Sequence, residues 1–235
     1  MRFVSFGGVL TLAFCLLGNG CSKGITRATA ATVFFVRGNV FFGDVQRNDL
    51  RRVTSKSKIH DGDVVRTLGD ASIDLALIPG VFVQMSGDSE LKIEALQLTK
   101  DGNETAGGML DRRASVRLNR GKIVTSFSES AKNGSQFGIT AGQITLTPDS
   151  DCLFSVSSDG TSTRATCGRG KVKLFVDAEP PIKIAAGYFC EWPTVSREPN
   201  VATADARAQM DIKSALDVEQ ELLDQAAGWQ NRRVF

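Results

Sequence analysis

Residues 73–85, IDLALIPGVFVQM, constrain the fold more than any other stretch of the chain. Ile73, Leu75 and Leu77 alternate with Asp74 and Ala76, and Val81, Val83 and Met85 resume the same period after Pro79-Gly80. A period of two belongs to strands with one buried face, so the two runs read as an antiparallel hairpin. The register that faces Ile73 with Met85, Leu75 with Val83 and Leu77 with Val81 keeps both apolar sets on one side. A slip of one residue would set Leu75 against Gln84. The turn type stays open, because Pro is disfavoured at the second central position of a type I turn.

The 235 residues are 42% hydrophobic, enough to bury a core in one domain with appendages. Twenty-three glycines against six prolines suit many strands and tight turns, while one histidine suits a multi-histidine metal enzyme poorly. A net charge of +2 sets up no field pointing to nucleic acid.

Several short motifs recur in a fixed order: Gly62-Asp63-Val64-Val65-Arg66-Thr67, then Ser89-Glu90-Leu91-Lys92-Ile93, Arg120-Gly121-Lys122-Ile123 and Phe137-Gly138-Ile139-Thr140. Phe154-Ser155-Val156, Gly170-Lys171-Val172 and Ala186-Gly187-Tyr188 follow. In order and spacing, residues 33–190 resemble the FecR domain family. The resemblance implies an all-β fold, an elongated solenoid-like stack or irregular sandwich of short antiparallel strands. The best-known relatives are inner-membrane regulators that relay a transport signal to a cytoplasmic sigma factor. This chain is expected to depart from them: it reads as beginning with a signal, lacking a second span and ending in a helix.

At the amino terminus, Arg2 precedes an apolar run over residues 3–17, which reads as a secretory signal and is short for a membrane-spanning helix. Gly18-Asn19-Gly20-Cys21 resembles a bacterial lipobox, with Cys21 lipidated as the first mature residue. Two alternatives stand beside it: cleavage after Ala28-Thr29-Ala30, and a retained signal anchor. The expected divisions are a signal at 1–20, a tether at 21–32, the β domain at 33–193, a linker at 194–202 and a helix at 203–230.

Gln46 to Lys58 is basic but diluted by Asp49 and lacks interleaved aromatics, so it reads as a solvated loop. Asp61-Gly62-Asp63 after His60 lacks the further oxygens of a calcium loop and reads as a turn. Asn119-Arg120-Gly121 reads as a hairpin turn. Asp159-Gly160 is a strong hairpin signal, and a two-residue turn there faces Cys152 with Cys167, Phe154 with Ala165 and Val156 with Thr163. In an oxidising compartment Cys152 and Cys167 would form a disulfide. Two buried thiols are the alternative, and Cys190 could compete for either partner.

From about residue 204 to 229, Ile212, Ala215, Leu216, Leu222, Leu223, Ala226 and Trp229 recur at helical spacing with acids opposite. The stripe either packs on the β domain or, through Ile212, Leu216, Leu222, Leu223 and Trp229, binds a partner. No nucleophile elbow, metal-ligand cluster or phosphate loop accompanies these features, so no enzyme and no cofactor is expected. The expectation is a lipid-anchored envelope protein on the periplasmic face of a membrane, the outer membrane foremost. It would bind another envelope protein or a cell-wall polymer. The alternative is a regulator in cell-surface signalling that acts in trans.

Overall fold

The computed structural model describes residues 24–100, 109–129, 134–176, 180–193 and 201–232. The signal segment and Cys21 lie outside them. The fold is all-β with one C-terminal helix, and its strands form an open sheet. The first strands are β1 (Ile25–Ala28), β2 (Ala31–Asp44), β3 (Asp49–Arg52), β4 (Lys58–Ile59) and β5 (Val64–Ile78). β6 (Val81–Lys100), β7 (Met109–Phe127), β8 (Gly134–Ala141), β9 (Ile144–Pro148) and β10 (Cys152–Ser158) follow. β11 (Thr163–Arg169), β12 (Lys171–Val176), β13 (Ile182–Ala185), β14 (Tyr188–Trp192) and β15 (Val201–Thr203) precede α1 (Ala206–Arg232).

The hairpin read from residues 73–85 is present as β5 and β6, with Ile73 facing Met85 and Leu75 facing Val83. Nearer the turn a bulge between Ala76 and Ile78 sets Ile78, not Leu77, against Val81. Pro79 thus takes the first central position and Gly80, at φ 83°, the second, as a type II turn requires. The bulge absorbs one residue and leaves both Leu77 and Ile78 buried.

β2, β5, β6 and β7 have 14, 15, 20 and 19 residues, longer than the short strands expected. Each bends at a glycine with positive φ: Gly38, Gly69, Gly87 and Gly121. The β2–β5, β5–β6 and β6–β7 ladders all shift register at this line. Two side chains satisfy backbone groups that the broken ladders leave over. Thr67 Oγ1 donates to Gly87 O and accepts from Ser89 N; Ser89 Oγ donates to Ser86 O at 2.5 Å and accepts from Lys122 N at 2.9 Å. Both residues are buried. Asn119-Arg120-Gly121 is therefore no hairpin turn: β7 runs on through it, and Gly121 is a bend point.

Beyond the bend the sheet forks. Residues 121–127 of β7 pair antiparallel with β10, and the ladder continues through β11, β14 and β15. Residues 111–118 pair in parallel with β8, continuing through β9, β12 and β13. The two branches fold over one core, in which Val156, Cys167 and Cys190 from the first join Leu146, Leu174 and Ile184 from the second. Phe127 and Phe137 stack across it at 6.4 Å. Each such fully buried aliphatic contributes about 1.5–3 kcal/mol. The result is an irregular sandwich whose layers share four bent strands. β1 and β15 extend the sheet into segments expected as tether and linker.

Candidate functional site

Alternation gives the first branch an outer face carrying Phe35, Arg37, Ser72, Phe82, Gln84, Lys122 and Val124, and α1 crosses part of it over β7, β10 and β11. Ala215, Val218 and Leu222 of the helix bury against Val124, Leu153 and Phe82. The helix begins at Asp205, whose Oδ1 accepts the Ala208 N–H at 2.7 Å as an N-cap. The same oxygen accepts Arg164 Nη2 at 2.6 Å. Arg164 is buried, lies 3.9 Å from the centroid of the Phe189 ring, and also meets Glu191 at 3.4 Å. The Arg164 hydrogen bond, then the Ala208 amide, hold the Asp205 carboxyl below its ordinary range.

Two further ion pairs fix the helix along its length. Lys122 Nζ meets Asp211 at 2.6 Å, and Arg169 grips Glu219 through both terminal nitrogens at 2.5 and 2.7 Å. Glu219, itself buried, also accepts from Ser126 Oγ at 2.8 Å. These contacts fix where the helix stops covering the sheet. Beside it, over β2, β5 and β6, an open groove of about 450 Å³ remains. Its bed is Phe35, Arg37, Ser72, Gln84 and Ser86; its wall is Met210, Lys213, Ser214, Asp217, Val218 and Glu221, one face of the helix. Phe35 and Met210 are 46% and 66% exposed, large apolar side chains facing water. Gln84 Nε2 donates to buried Asp74 at 2.9 Å, which fixes the amide in the bed. Among the described residues β2 has no strand partner on its outer side between residues 33 and 39, and the two bulges there protect this edge from indiscriminate pairing.

Of the helix residues read from the sequence as partner-binding, Leu222 is turned to the sheet, Ile212 is half-buried over Gly168, and Leu216 is exposed. The side chains of Leu223 and Trp229 lie outside the described ones. The helix thus packs on the β domain with one stripe and leaves a second face open. Sequence reading missed Arg164, Arg169 and Glu219, although an acid within the stripe of Ala215 and Leu222 signals a cation on the opposing surface. It also missed Phe35 and Met210, because neither departs from a pattern that suits a core position.

The expected facing of Cys152 and Cys167 is corrected. Residues 159–162 form a four-residue loop, so Phe154 faces Cys167 and Val156 faces Ala165. Asp159 Oδ1 accepts the amides of Thr161 and Ser162 at 2.8 and 2.7 Å, holding the longer loop in place of a two-residue turn. Cys152 faces Phe127 on β7 and lies against Gly170. All three core cysteines are free thiols. Burial pushes Cys167 and Cys190 up to about 11, and burial together with nearby Cys167 raises Cys152 as well.

No family model matches the chain, and no curated protein matches it. Two crystal structures of a candidate anti-sigma factor from Parabacteroides distasonis, at 1.65 and 2.50 Å, are similar to it. Each gives a TM-score of 0.44 at 12% identity over 61% of this chain and 61% of that chain. The chain thus spans about three fifths of the length of those structures. No helix among the described residues is long and apolar enough to cross a membrane, and no three metal-ligating side chains among them converge. Asp61 and Asp63 are engaged in a turn: Asp61 accepts the Leu96 amide at 2.7 Å, and Asp63 the His60 amide at 2.8 Å.

Proposed function

We propose that this chain is a non-enzymatic, FecR-like domain protein of the bacterial envelope, anchored by lipid at Cys21, that binds a segment of another envelope protein. The observation that carries this reading is the groove between α1 and the β2–β5–β6 face. Its bed and wall combine exposed Phe35 and Met210 with Arg37, Lys213, Asp217 and Glu221. A groove with apolar anchors and charges of both signs suits a peptide or helix better than a small ligand, which takes an enclosed pocket. Three ion pairs hold the helix in place, so the groove exists before a partner arrives and little ordering is needed on binding. The ordered motifs of residues 33–190 support the family reading, and the roles of Thr67 and Ser89 at the bend give two of those motifs a structural purpose.

The test is a photo-crosslinking side chain placed at Phe35 or Met210 in intact cells, with Thr145 on the opposite face as control. The expected result is a discrete adduct from the groove positions that weakens with Lys213→Glu and Asp217→Lys. Equal adducts from Thr145, or none from either groove position, would contradict the proposal. An adduct with a transporter or a sigma-factor regulator would favour the second reading, signalling in trans. For the anchor, a Cys21→Ser variant should leave the membrane fraction at high salt; retention there would contradict lipidation.

A further inference from the structure

The outer face of the second branch, opposite the helix, carries charge that the groove does not use. Glu90 and Glu94 on β6 and Asp149 just after β9 are each committed to a cation: Arg66 at 2.8 Å, Arg117 at 2.7 Å, and Lys173. Lys171 and Lys183 also act on Asp149, and with Lys173 they hold its carboxyl below the ordinary range. One carboxylate thus sits among three lysines. Lys92, Arg113, Lys171 and Lys183 are exposed and make no ion pair among the described residues. Among the described residues of these strands, one outward carboxylate without such a pair stands against them, Asp111, at the start of the β7–β8 ladder. Among the described residues the face therefore carries more cations than carboxylates, in a chain whose net charge is only +2.

The layout of these cations limits what they can hold. They lie on β6, β7, β12 and β13, and the ladder between them runs β6–β7–β8–β9–β12–β13. At about 4.8 Å per strand step the set spans roughly 24 Å. Nothing converges as a pocket for one phosphate would require. Between them the outward residues are small or uncharged, among them Gly138, Thr140, Thr145 and Thr147. Such a surface can settle on many anions at once. The chain also enters the fold here: β1 pairs with the end of β6 that faces β7 near Arg113. Ile25 follows Cys21 by four residues, a reach of at most about 14 Å.

We infer that this face rests on a surface of anionic lipid headgroups, turning the groove away from the membrane. The choice of a membrane over a soluble polyanion rests on the anchor at Cys21; the electrostatic contact itself does not. The chain from Ser22 onward, which holds every described residue, is sedimented with phosphatidylglycerol-containing vesicles and with pure phosphatidylcholine vesicles. Binding is expected to the anionic vesicles only, and to be lost at about 0.5 M salt, where the screening length falls to a few ångströms. Changing Lys92, Arg113, Lys171 and Lys183 together to Glu should lower partitioning by on the order of 1,000-fold or more. The same four changed to Gln should give an intermediate loss, and an unchanged melting temperature in both sets excludes misfolding as the cause. Equal binding to both vesicles, indifference to the substitutions, or capture of soluble polyphosphate in preference to vesicles would overturn the inference. No lipid anchor takes part, so failure here and failure of the Cys21 reading are separable.

Discussion

A methyl group added at Gly121 would lie 2.1 Å from Ser89 Oγ and 2.4 Å from Ser89 Cα, in a backbone held at φ 94°. Gly62 has nearly the same φ, 91°, yet nothing lies within 4 Å of the corresponding position. The pair separates backbone strain from crowding. Gly62→Ala should cost about 1–2 kcal/mol for the left-handed conformation alone, and Gly121→Ala well over about 2 kcal/mol because Ser89 must move. Urea unfolding of both variants checks this, and equal losses would contradict it. The sequence marked Gly121 as special without saying how, since a hairpin turn and a strand bend both require a residue with positive φ. What decides between them is the strand lying opposite, and Ser89 is 32 positions away in the chain. The thiols carry a second prediction at this scale. With Cys167 and Cys190 pushed up to about 11 by burial, all three core thiols should resist alkylation near neutral pH and react fully only in denaturant. Prompt labelling of the native chain would contradict a closely packed core around these thiols.

At the scale of the element, β10, β11 and α1 show what patterning can and cannot reach. Phe154 was expected opposite Ala165 and is opposite Cys167, a shift of two residues that leaves every side chain on its original face. Hydrophobic alternation fixes the face but is blind to such a shift; only the loop held by Asp159 sets the partners. The helix was legible as a helix for the same reason, by its apolar stripe. Its docking was not, because it depends on Arg164 and Arg169, distant in sequence and each at home on a surface. Glu219→Ala should cost about 1–3 kcal/mol, below the loss expected for a fully buried pair because Arg169 stays half exposed and remains solvated. For Asp205 the sign follows from its depressed folded pKa. Its contribution is complete above the unfolded value of 3.8 and disappears as pH falls through the folded one. Asn can cap a helix but cannot pair with Arg164 as an anion. Asp205→Asn should therefore be less stable than the parent at pH 7 and converge on it in acid, as urea titrations at both pH values would record. A gap that persists in acid would assign the effect to something other than charge.

For the whole molecule, the division into two branches was beyond any local signal. Four glycines in four strands, Gly38, Gly69, Gly87 and Gly121, fall on one line only once the ladders are assembled. The bend gives the chain two outer faces of different character, one crossed by the helix and bearing the groove, the other basic. The groove, and with it the partner-binding proposal, depends on α1 being part of the folded body rather than a free appendage. Most of the stability of a helix in a folded protein comes from packing of its apolar face, so strong protection of its amides requires the sheet beneath it. Native-state hydrogen exchange measures that protection most directly. The amides of Ala208, Ala215, Val218 and Leu222 should exchange far more slowly than those of a free helix, with protection lowered selectively by Glu219→Ala while the β5–β6 amides hold theirs. Exchange of these helix amides at the rate of an unfolded peptide, with the sheet still protected, would contradict the docked helix and remove the wall of the groove.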